Sequence, residues 1–170
     1  CITAENPVSF YDALDERGVK YNTELRALYE DECGTSAIPT TSHPVVNNAL
    51  GLILTKSQLP EMPVSKLTDE IMANAKAYSD TALVMISRTS AEGTDLTEDV
   101  LRISDEERAL IEKLNNNFEN IIVLFNISNI IEMGFVDEYE NIKAAAAIWI
   151  PGEFGMLSVA DMLKGDVNPS

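Results

Sequence analysis

The stretch "TALVMISRTSAEGTDL", residues 81–96, decides the fold. Its first half is an apolar run that does not alternate with polar residues, so both faces of the strand it forms are covered. Strands of that kind belong inside a parallel sheet flanked by helices. Its second half turns within a few residues into a polar, glycine-containing loop. In an open parallel α/β fold, such a loop leaves the carboxyl end of a strand, which is where ligands are met.

The same strand, loop and helix order recurs outward from this point. Upstream, Ile71, Ala75 and Tyr78 sit at helical spacing. Downstream, Ser104 and Glu107 form a capping box that opens the helix "DEERALIEKLN", residues 105–115. "NIIVLFN" at 120–126 and "AAAAIWI" at 144–150 are two further apolar strands, and "PGEFGMLSVADML" closes with a helix that stops at Gly165. The expectation is a single domain over residues 1–170, an open three-layer α/β/α sandwich with a mostly parallel sheet.

The amino-terminal part is marked differently. Asn6 is a helix cap, Pro7 suits the first helical position, and Val8, Tyr11 and Leu14 share a face until Gly18 ends the helix. "VKYN" at 19–22 reads as a short strand, and Asn22 caps a second helix that runs through Leu25 and Leu28 to Gly34. Residues 34–64 hold Pro39, Pro44, Pro60 and Pro63 and read as an irregular excursion around one short helix near Val45 to Leu54.

Composition narrows the function classes. A chain of 170 residues with 45% hydrophobic content can bury a core. Twelve basic against 28 acidic residues give a net charge of −16, which argues against nucleic acid and against an anionic membrane surface. No apolar run reaches the roughly 20 residues that span a bilayer. Cys1 and Cys33 make neither a disulfide framework nor a thiolate metal site. No metal is implied, and the compartment stays open between cytoplasm and the cell surface or exterior.

Three loops follow strands: "SRTSAEGTD", "NISNIIE" and "PGEFG". The first is the longest and most polar, and it holds Glu92 beside Gly93. A loop glutamate is ordinarily a solvated surface group. Position at a strand end, a neighbouring glycine that allows close approach, and Arg88 and Asp95 nearby mark Glu92 instead as a candidate general acid. The hydroxyl content of the same loop also fits a flavodoxin-like phosphate cradle, though such a loop ordinarily follows a first strand. Neither GxGxxG nor a Walker pattern occurs. His43 reads as a surface or capping histidine, and Ser128 and Ser158 lack a His–Asp pair for a hydrolase triad. Trp149 and Phe154 bracket a strand end, where packing is the default and stacking on a sugar face the alternative.

Taken together, "DTALVMISRTSAEGTD", "ISDEERALIEKL", "NIIVLFNISNIIEM" and "AAIWIPGEFG" followed by "VADMLKGDVNPS" resemble the α/β-sandwich domain of glycoside hydrolase family 3, the β-glucosidase-type enzymes. The resemblance covers residues 63–170. It implies that Glu92, the glutamate of the family's Gly-Glu-Gly loop, is the general acid/base, with Arg88 and Asp95 on recurrent loop positions. The departures are Ala91 for the first glycine, Leu96 for a frequent arginine, Ser128 for a glycine, and Gly155-Met156 for a glycine pair. It further implies a β-linked carbohydrate substrate, no cofactor, and a partner (β/α)8 barrel domain that carries the nucleophile. On that reading the chain is a piece of a larger enzyme, with the sandwich's opening strand upstream. A non-catalytic module that shapes the sugar pocket is the alternative.

Overall fold

The computed structural model describes residues 7–33, 61–88 and 96–169. They belong to two compact units, Cys1–Thr23 with Ile150–Ser170, and Glu24–Trp149.

In the first unit, α1 spans Phe10–Arg17. Its cap is Ser9, three positions after the asparagine that the sequence suggests. The reason is reciprocal bonding: the Asp12 N–H donates to Ser9 Oγ at 3.1 Å, and the Ser9 N–H donates to Asp12 Oδ2 at 3.2 Å. The Val8 N–H is engaged by Glu153 O at 3.0 Å, which holds Pro7 and Val8 outside the helix. Gly18, at φ 67°, closes α1: its N–H donates to Asp15 O and that of Val19 to Leu14 O, a Schellman pair. Residues 19–22 form no strand, contrary to the reading of "VKYN". The capping bond takes the Val19 N–H, and the Tyr21 ring packs on Tyr11 with centroids 5.1 Å apart. The last helix of the chain, Gly155–Lys164, ends the same way at Gly165, φ 82°. Ala13, Leu14 and Ala160 form this unit's buried centre.

The second unit holds the sheet. α2 spans Thr23–Cys33, its first residue lying in the other unit, and α3 spans Asp69–Tyr78, capped by Thr68. Met72 and Ala75 are the buried residues of α3, whereas Tyr78 is exposed. β1 runs Thr81–Arg88, α4 Asp105–Asn115, β2 Asn120–Ile127 and β3 Ile142–Ala147; the helix Gly155–Lys164 is α5. Short 3-10 turns occupy Val64–Lys66, Glu98–Leu101 and Gly134–Glu138. The capping box at Ser104 and Glu107 opens α4 as the sequence indicates.

The three strands pair in parallel in the order β1-β2-β3, from Thr81↔Asn120 to Arg88↔Ile127 on one side of β2 and Ile121↔Ile142 to Phe125↔Ala147 on the other. Lys143 is passed over in the second register, which keeps Ile142 and Ala145 on one face. That face carries Val84, Ile86, Ile121, Val123, Phe125 and Ile127, packed with Met72 and Ala75 of α3 and Leu110, Ile111 and Leu114 of α4. The fold is therefore α/β with a parallel sheet, of the sandwich class that the apolar runs predict. The third strand sits earlier than "AAAAIWI" suggests. Ile148 still donates to Phe125 O at 2.9 Å, but Trp149 adopts φ 56°, a region costly for a bulky side chain, and the strand cannot continue. The expected helix near Val45 to Leu54 and the end of α2 at Gly34 lie outside the described residues.

Candidate functional site

Parallel pairing brings the ends of β1, β2 and β3 to one edge, so the segments after Arg88, Ile127 and Ala147 all leave from it. Glu92 follows Arg88 by four positions. Ala91, Glu92, Gly93 and Asp95 lie outside the described residues, as does His43; the residues that anchor their segment on both sides are described.

Arg88 closes β1 and is 1% exposed. Its guanidinium makes five hydrogen bonds, as many as it has N–H donors. Nε donates to Val100 O at 3.1 Å, Nη1 to Ser87 O at 2.9 Å, and Nη2 to Arg102 O at 2.9 Å. Nη1 and Nη2 also donate side by side to Glu107 Oε1 and Oε2, each at 2.7 Å. The paired fork is the strong geometry for an arginine and a carboxylate. Arg88 is thus held within the fold rather than offered to a ligand. The sequence marks Glu107 only as a capping residue, and one of its oxygens does accept the Ser104 N–H at 2.8 Å. A buried arginine at a strand end requires a carboxylate, and that requirement is the signal that could have singled Glu107 out.

Glu61 lies near this pair. Burial lifts its carboxyl above the ordinary carboxylate range, the Met62 N–H at 2.9 Å works against the rise, Glu107's charge adds to it, and a hydrogen bond from Tyr29 opposes it.

At the β2 exit, Ser128 donates its N–H to Arg88 O at 3.4 Å, and Asn129 Nδ2 donates to Ile130 O at 2.6 Å. Asn129 Oδ1 is buried and accepts no hydrogen bond among the described residues. Glu132 N–H donates to Leu101 O at 2.7 Å, tying this exit to the turn Glu98–Leu101. Ile130, Met133 and, at the β3 exit, Trp149 are exposed. Trp149 and Phe154 are 59% and 60% exposed, so neither takes the packing role that is the default for an aromatic. A shallow groove beside α4 is lined by Arg102, Ile103, Arg108, Glu132, Phe135 and Glu138. Its cations are already engaged, Arg102 with Glu98 and Glu132 and Arg108 with Glu138. Among the described residues, no group of three or more His, Cys, Asp or Glu could hold a metal ion, and no helix is long and apolar enough to cross a membrane.

A three-stranded parallel sheet packed against helices defines an α/β domain of the sandwich type. The profile of the Glycosyl hydrolase family 3 C-terminal domain matches residues 2–170, and the chain belongs to that family. A β-glucosidase of Ruminococcus albus is 32% identical over 160 residues, covering 93% of this chain and 16% of its own length. β-Glucosidase A of Butyrivibrio fibrisolvens is 30% identical over 128 residues, covering 61% of this chain and 15% of that protein. The crystal structure of a β-glucosidase from Paenibacillus barengoltzii superposes with a TM-score of 0.81 at 32% identity, over 99% of this chain and 18% of that one. The chain thus spans less than a fifth of the length of these relatives.

Proposed function

We propose that the chain is the α/β-sandwich domain of a retaining β-glycosidase of the β-glucosidase type, and that Glu92 is its general acid/base. The observation that carries this reading is positional. In a member of this family, Glu92 comes four residues after Arg88, the last residue of β1, and that strand ends at the sheet edge where a parallel α/β fold meets its ligands.

The reaction is a double displacement on a terminal β-linked sugar. A carboxylate nucleophile, on a (β/α)8 barrel domain of the same polypeptide, attacks the anomeric carbon as the bond to the leaving oxygen breaks. Glu92 gives its proton to that oxygen. In the second step Glu92, now a carboxylate, takes a proton from water as water displaces the nucleophile and restores the β configuration. Neither step calls for a metal or cofactor. The family membership takes the place of the flavodoxin-like alternative.

The test is Glu92→Ala in the complete polypeptide, assayed on an alkyl β-glucoside and on a dinitrophenyl β-glucoside. An alkoxide leaves badly without a proton, whereas a dinitrophenolate leaves unaided. Turnover on the alkyl substrate should fall by about 10²–10⁴-fold while glycosylation by the activated one is largely spared. Equal loss on both would mean that the domain shapes the pocket and Glu92 moves no proton.

A further inference from the structure

Arg88 joins two stretches of backbone that bracket the segment carrying Glu92. On the leading side it is the last residue of β1 and binds Ser87 O. On the returning side it binds Val100 O, twelve positions on, and Arg102 O. Glu107 holds the guanidinium from α4 and is fixed in turn by its reciprocal bonds with Ser104. The returning turn is tied onward to the β2 exit by the bond from Glu132 N–H to Leu101 O. The take-off and landing points of the segment are therefore set by one buried pair, Arg88 at 1% exposure and Glu107 at 6%.

We propose that Arg88 and Glu107 are positioning residues for Glu92, a clamp that fixes both ends of its segment; this rests on the acid/base reading above. A pair kept only for stability has a cheaper apolar substitute, because two buried charges must give up their hydration. An apolar pair, however, cannot hold three carbonyls and a helix cap in a fixed fork. Closing the ends of a segment limits the paths its middle can take. Proton transfer is sensitive to that, since misplacing a catalytic group by about 1 Å can cost on the order of 10²-fold.

The test uses the complete polypeptide with Arg88→Lys, which keeps the charge but loses the fork, and Glu107→Gln, which keeps the size but loses the charge. For each, kcat/KM is measured on the alkyl and the dinitrophenyl β-glucoside and expressed as a ratio. A merely structural loss lowers both values through the amount of active enzyme and leaves the ratio unchanged, so a partly unfolded variant still reports. The ratio of alkyl to dinitrophenyl should fall about tenfold or more in both variants, and Arg108→Ala, at the exposed pair with Glu138, should leave it unchanged. An unchanged ratio in both clamp variants, with Glu92→Ala lowering it, overturns the clamp alone. An unchanged ratio in Glu92→Ala as well overturns the acid/base reading, and the clamp with it.

Discussion

Glu107→Ala in the 170-residue chain is the sharpest test of how the sheet edge is held together. The substitution strips both 2.7 Å contacts from a guanidinium whose side chain is 0% exposed. It also removes the acceptor of the Ser104 N–H, one half of the capping box. Removing one partner of a buried pair costs about 3–5 kcal/mol, because the other charge is left without compensation. That is a large share of the roughly 5–15 kcal/mol by which domains are stable. Arg88→Met should cost a similar amount. Combined with Glu107→Ala, it should cost less than the sum of the two single losses, since no charge is then stranded. Full recovery is not expected, because Ser87, Val100 and Arg102 each lose a donor to their carbonyl. Urea titrations followed by far-UV circular dichroism give the three values, and a coupling of about 1–3 kcal/mol is the expected outcome. Single losses below about 1 kcal/mol, or losses that simply add, would refute the reasoning.

Other outcomes follow from the same geometry. Phe125, fully buried on β2 and packed edge-on against Phe135, should cost about 3–5 kcal/mol when replaced by alanine, read by urea titration. Glu61 binds its proton more tightly in the folded chain than in the unfolded one, so its contribution to stability falls as pH rises through the carboxylate range. Glu61→Gln should therefore raise Tm at pH 7 and leave it nearly unchanged at pH values below the unfolded carboxylate pKa; a lower Tm at pH 7 would contradict the burial argument. The 170-residue chain alone should not hydrolyse an aryl β-glucoside, because retaining hydrolysis needs two carboxyl groups about 5–5.5 Å apart on opposite sides of the bond. Turnover within about a hundredfold of the complete polypeptide would show that the second carboxylate lies in this chain.

Much of this fold was legible before any coordinates. The non-alternating apolarity of 82–86 and 121–125 specified covered parallel strands, and local hydrogen-bond chemistry specified the ends of helices at Gly18, Ser104 and Gly165. The failures were local competitions. Ser9 displaced Asn6 as a cap because Asp12 reciprocates its bond, and "VKYN" lost its strand to the Schellman closure of α1. β3 ended early because Trp149 takes a left-handed backbone angle, which no periodicity encodes. For the candidate site, residue type and spacing single out the end of β1, which is described, and make Glu92, which lies outside the described residues, a candidate. They could not show that Arg88 turns inward, since its partner Glu107 is nineteen positions away and meets it only through packing.

The central claim is that Glu92 donates and then recovers a proton, and one measurement addresses it directly. In the complete polypeptide carrying Glu92→Ala, a dinitrophenyl β-glucoside is turned over with and without sodium azide, and the sugar product is followed by NMR. Without the carboxylate, water is a poor attacker on the glycosyl-enzyme, whereas azide needs no proton removed. The account predicts that azide raises the rate and that β-glucosyl azide accumulates. A rate indifferent to azide, with glucose as the sole product, would contradict it.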